Sequence, residues 1–132
     1  MNNWDLVDLS APDVLGRAVL AGLPTDVLYW LAASDLLWDR RIAIVATYRL
    51  IRAGSLDHTF ALAALLEDDP HDLMHKAVGW MLREAGKQDE PRLLAFLDEH
   101  AATLPRTALR YSLERLAPEQ RAHYMGAKRA GA

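Results

Sequence analysis

Cysteine is absent from the 132-residue chain, which excludes a disulfide framework, a thiolate zinc site and a cysteine nucleophile together. No apolar run approaches the roughly 20 residues that cross a bilayer, and no charged-then-apolar leader opens the chain. A cytoplasmic protein without membrane contact is expected. A large charge of one sign is missing as well. Fifteen basic side chains face 18 acidic ones, and the net charge of −3 argues against indiscriminate binding to nucleic acid. There is no glycine-rich phosphate loop, no G-x-S-x-G elbow and no Walker motif. What is present is a 52% apolar composition, enough for a single domain over residues 1–132 with one modest core.

Punctuation and apolar period both read all-α. Ser10-Ala-Pro12 supplies a cap and an early proline for a helix ending near Gly22. Thr25 caps a short helix through Leu28 and Leu31, and Ser34 caps one that runs to Ala53 and stops at Gly54. Further helices are expected at about 57–67, 71–87, 90–102, 106–116 and 119–127, with Pro70 as a breaker. An offset of 32 relates Ala53-Gly54, Ala85-Gly86 and Ala117-Pro118, read as three successive helix ends. It also lays Ala61–Leu65 over Leu93–Leu97. Recurrence at that length is the mark of a helical solenoid, although a plain bundle fits the same composition.

Helical angles of about 100° per residue then sort the side chains. Lys76, Trp80, Arg83 and Lys87 share one stripe, with Val78, Met81, Leu82 and Ala85 on a core side. Arg41, Val45, Tyr48 and Arg52 repeat that spacing, and Arg106 and Arg110 stand at i, i+4 on a later helix. Cations for phosphates with aromatic surface between them are what tracking of a nucleic-acid backbone needs. A solvated cationic face with Trp80 packed at its margin has the same pattern. Arg40 lies about 100° from Arg41, toward the core, so Arg41 is the arginine expected to reach a ligand. Charge is also uneven: residues 1–35 hold five acids and one base, residues 103–132 six bases and two acids.

If residues 2–8 are helical, Trp4 and Asp8 share a face at i, i+4 and Asp5 points elsewhere. An indole attracts a cation and a carboxylate stabilises a developing oxocarbenium, so the pair suits a positively charged reaction centre. The same segment also reads as a chain end anchored by a tryptophan. His71 and His75 are spaced as metal ligands but lack a third partner in any known framework. No metal and no cofactor is expected. Tyr111, Tyr124 and Phe96 read as packing between repeats.

Four ordered segments carry a resemblance: Asn3-Trp-Asp-Leu-Val-Asp8, Leu37-Trp-Asp-Arg-Arg-Ile-Ala-Ile44, His75-Lys-Ala-Val-Gly-Trp-Met-Leu-Arg-Glu84 and Leu104-Pro-Arg-Thr-Ala-Leu-Arg110. Together they resemble the AlkD-type DNA alkylation repair proteins, as a short form matching the C-terminal half or more of such proteins. The resemblance implies a right-handed α-solenoid of HEAT-like repeats, here about three helix pairs after an N-terminal helical segment. It implies a DNA glycosylase that releases cationic N3- and N7-alkylpurines from duplex DNA without burying the lesion deeply. It sets Asp8 as the catalytic carboxylate, Trp4 and Trp80 as aromatic walls beside the lesion, and Arg41 as a clamp on the DNA backbone. Lys76, Arg83, Lys87, Arg52, Arg106 and Arg110 are expected as further backbone contacts. The N-terminal repeat face is expected to be open to a second copy. The alternative is a non-catalytic helical-repeat module that binds DNA or a protein through the same face.

Overall fold

The computed structural model describes the backbone of residues 3–126 and the side chains of residues 11–126. Its helices are α1 (Asn3–Leu20), α2 (Asp26–Ala32), α3 (Leu37–Arg52), α4 (Asp57–Leu65), α5 (Asp72–Gln88), α6 (Glu90–His100), α7 (Arg106–Leu113) and α8 (Pro118–Met125). The fold is all-α, and no strand occurs among the described residues. No helix among them is long and apolar enough to cross a membrane.

Local chemistry ends α1 and α3 where the glycines stand. Gly22 (φ 123°) and Gly54 (φ 90°) take the left-handed backbone that a side chain would resist. Beyond them the Leu23 N–H donates to the Ala18 carbonyl at 2.9 Å, and the Ser55 N–H to the Leu50 carbonyl at 2.8 Å. Both helices thus close in the same 6→1 pattern. Ser34 stands before α3 rather than at its cap. Its hydroxyl accepts from the Leu36 N–H at 3.1 Å and donates to Asp39 at 2.7 Å.

One expected boundary and one supposed helix end are corrected. Helix α1 begins at Asn3, not at Ser10, and Pro12 lies inside it. A proline there forfeits one backbone hydrogen bond, at a cost of about 3 kcal/mol. Pro12 is buried and α1 packs along α3, so tertiary packing overrides the local penalty. Helix α5 spans Asp72–Gln88, within a residue of the expected 71–87, so Ala85-Gly86 does not end it. Gly86 is there for close approach instead: a Cβ on it would meet Leu93 Cδ2 at 2.5 Å.

The helices form two layers. In the first, α1 stacks on α3, α3 on α5 and α5 on α7. The second helices return beneath them as the hairpins α3–α4, α5–α6 and α7–α8, while α2 packs under α3 and against α4. The three expected helix pairs are thus present, preceded by α1 and α2. Val14 and Trp30 stay exposed at the α1–α2 end.

Register between repeats is 31 and not 32. Buried Ala43, Ala46, Thr47, Leu50 and Ile51 of α3 correspond to Met74, Ala77, Val78, Met81 and Leu82 of α5, 31 positions on. Buried Ala77, Val78, Met81 and Leu82 then correspond to Ala108, Leu109, Ser112 and Leu113 of α7, 31 positions on. The supposed ends at Ala85-Gly86 and Ala117-Pro118 therefore carry no repeat: Ala117 starts α8 rather than ending α7.

Polar ties cross the second layer. The Tyr29 hydroxyl and His58 Nδ1 are 2.8 Å apart, and Tyr124 donates to Asp98 at 2.8 Å. Burial, reinforced by that carboxylate, pushes the Tyr124 phenol up to about 12. Phe60 and Phe96 pack at 5.4 Å, with the Arg92 guanidinium 5.1 Å from the Phe60 ring. Expected packing roles for Tyr124 and Phe96 hold.

In the first layer Asp13 ties α1 to α3. Its Oδ1 accepts from Arg49 Nε at 2.5 Å, and its Oδ2 lies 2.9 Å from Arg17 Nε. The Arg49 hydrogen bond leads, and with Arg17 it outweighs desolvation to hold the carboxyl below its usual 3.8. A lowered folded-state value stabilises fully above 3.8, and that stabilisation disappears as pH falls through the lowered value. Amides of α1 are therefore expected to lose hydrogen-exchange protection in acid before those of α5. Asp13→Asn should show the same loosening at neutral pH. Uniform loss along the chain would mean that this tie does not control α1.

Candidate nucleic-acid interface

The first layer presents an open groove of about 260 Å³ lined by Arg41, Lys76, Ala77, Trp80, Arg83 and Tyr111. Helix α3 supplies Arg41, α5 the next four and α7 Tyr111, so three successive repeats build it. The repeat register explains part of the gathering. Trp80 and Tyr111 are equivalent positions 31 apart, on neighbouring helices of the first layer. Four residues of the sequence-predicted interface, Arg41, Lys76, Trp80 and Arg83, meet in one place.

Trp80 is half-buried. Its ring packs on Tyr48 with centroids 6.1 Å apart at 38°, which fixes the indole while part of it faces the groove. Arg40 turns away, as its angle requires. Its Nε donates to Asp69 at 2.6 Å and its Nη1 to the Ser34 carbonyl at 3.1 Å. With Arg40 held on the inner side, the neighbouring Arg41 is left to line the groove.

The cations carry local counter-charges. Lys76 Nζ lies 3.3 Å from Asp72, and Arg83 pairs with Glu114 while its Nε stands 3.7 Å from Glu84. Lys87 is drawn to Glu84 at 2.8 Å and does not line the groove. Arg52, Arg106 and Arg110 are exposed but also lie outside the lining. The groove therefore sits in a zwitterionic rim, and a bound anion must exchange with carboxylates to reach Lys76 and Arg83. That reduces the net affinity of each contact and keeps overall charge low.

A family model described as "DNA alkylation repair enzyme" matches residues 1–116. The chain belongs to this family. Membership carries DNA alkylation repair as the general function and DNA as the substrate. No curated protein and no solved structure matches the chain.

In this member of the DNA alkylation repair family, Trp4 and Asp8 belong to the first turns of α1. Their side chains lie outside the described residues. The two histidines with metal-like spacing serve the start of α5. His71 Nδ1 accepts from the Leu73 N–H at 3.3 Å, and His75 Nε2 lies 2.5 Å from the Asp69 carbonyl. Tyr111 packs between repeats as expected, its Cβ set against Gly79 of α5. What the sequence reading did not show is that it also lines the groove. The available signal was the apolar pattern Ala77-Val78…Met81-Leu82 repeating as Ala108-Leu109…Ser112-Leu113, which sets Tyr111 in the position of Trp80.

Proposed function

We propose that this chain is an AlkD-type DNA glycosylase that hydrolyses the N-glycosidic bond of cationic alkylated purines in duplex DNA. The observation that carries the reading is the groove itself, where an indole face stands among Arg41, Lys76 and Arg83. An N3- or N7-alkylpurine is already positively charged, so its bond to C1′ is weak and needs no strong general acid. Trp80 attracts that charge through its ring face. Arg41 holds the neighbouring phosphate, and the open groove suits a lesion that is not deeply enclosed. Asp8 and Trp4 enter on the family resemblance: Asp8 stabilises the oxocarbenium and orients water, and Trp4 forms the second wall. As the C1′–N bond breaks, the bonding pair neutralises the purine. Water then adds at C1′, loses a proton and leaves an abasic site.

The test is release of free 7-methylguanine from methylated duplex DNA, which should require the protein. Arg41→Ala should weaken duplex binding about tenfold and lower its dependence on salt by about one counterion. Binding without release would make the chain a non-catalytic helical-repeat module. Retained affinity and salt slope in Arg41→Ala would remove Arg41 from the interface.

A further inference from the structure

We propose that the Tyr111 hydroxyl donates a hydrogen bond to a phosphate oxygen of the DNA held in this groove, making Tyr111 a positioning residue for the strand. The inference rests on the DNA-binding groove described above and adds a contact that the family resemblance did not supply.

Three observations converge on it. First, the tyrosines divide by layer. In the second layer Tyr29 pairs with His58 and Tyr124 donates to Asp98, each at 2.8 Å, so both hydroxyls are committed to a neighbouring helix. The Tyr111 hydroxyl has no such partner among the described residues, and its side chain is half-buried in the groove wall. Second, Tyr111 is mechanically fixed. A Cβ on Gly79 would fall 2.6 Å from Tyr111 Cβ and 2.7 Å from the Ala108 carbonyl, so α7 lies directly on the α5 backbone at this point. The ring starts from a rigid base, and little freedom remains to be lost on binding. Third, the charge around it selects the acceptor. Arg41, Lys76 and Arg83 line the same groove as Tyr111, and Arg83 is drawn toward α7 by Glu114. A phosphate is an acceptor that both the arginines and a phenolic O–H recognise, and such contacts set the register of a duplex on a protein.

Tyr111→Phe keeps the ring and removes only the donor. Duplex binding by the full chain should weaken about tenfold, as expected for one hydrogen bond to a charged group, with an unchanged thermal midpoint. A set of duplexes, each with one phosphate replaced by a neutral methylphosphonate, locates the contact. At one linkage the wild type should lose affinity while Tyr111→Phe loses little more. Equal binding by wild type and Tyr111→Phe would overturn the proposal. So would losses that simply add at every linkage, which would move the hydroxyl to a base or sugar. Failure here is separable from failure of the glycosylase reading. Release of 7-methylguanine with unchanged Tyr111→Phe binding sinks only this contact. Tyr111-dependent binding without release sinks only the glycosylase. A wild type that binds no duplex sinks both.

Discussion

Asp8→Asn is expected to lower release of 7-methylguanine by a factor of about 100 or more while leaving affinity for undamaged duplex unchanged. Asparagine preserves the shape of the side chain and its helical preference is close to that of aspartate, so α1 should form as before. What disappears is the negative charge. A cationic purine departs without protonation, so the rising barrier belongs to the sugar, whose C1′ becomes electron-deficient as the bond stretches. A neutral amide offers that centre a dipole in place of a charge. The damage should therefore appear in the rate of the chemical step and not in binding. Parallel loss of affinity and rate would make Asp8 a structural residue. Unaltered release would transfer the electrostatic role elsewhere.

Asp69→Ala should be the most destabilising change among the ion pairs, by about 3 kcal/mol, because it strands the guanidinium of Arg40 in the interior. The two side chains are 4% and 17% exposed, less than in the other arginine–carboxylate pairs among the described residues, of which Arg83–Glu84 comes next at 24% and 13%. Asp69 also accepts the His71 N–H at 3.0 Å, so the turn into α5 loosens with it. For a domain of this size the thermal midpoint should fall by about 10 °C. Arg40→Met combined with Asp69→Ala should recover part of that loss, since the orphaned charge is gone. Duplex affinity reports the second effect. Arg40 fixes the first turn of α3, and Arg41, the next residue, lines the groove. A single variant with an unmoved midpoint would mean that solvent reaches the pair.

The residues show where sequence is informative. Gly22 and Gly54 closed their helices as glycines with left-handed backbone do, a purely local matter. The choice of Arg41 over Arg40, and the stripe of Lys76, Trp80 and Arg83, followed from helical angle alone and met in one groove. Pro12 and Gly86 misled because both carry strong local signals that packing overrode. The groove position of Tyr111 was hidden because the repeat is 31 residues long, which an offset of 32 cannot follow. The carboxylates that pair with Arg40 and Arg83 lie 29 and 31 positions away, beyond the reach of any local pattern.

The ladder α1–α3–α5–α7 also has a kinetic consequence. Groove residues come from α3, α5 and α7, whereas Asp8 resides on α1 at the end of the ladder. Among the described residues the α1–α3 interface is what joins the two parts within this layer, where Gly16 brings α1 to within 2.6 Å of the Ala46 carbonyl, measured from the Cβ it lacks. Opening that one interface requires less free energy than unfolding the whole stack. In the glycosylase reading, the enzyme would then uncouple before it melts, holding DNA in the groove while the carboxylate swings out of register.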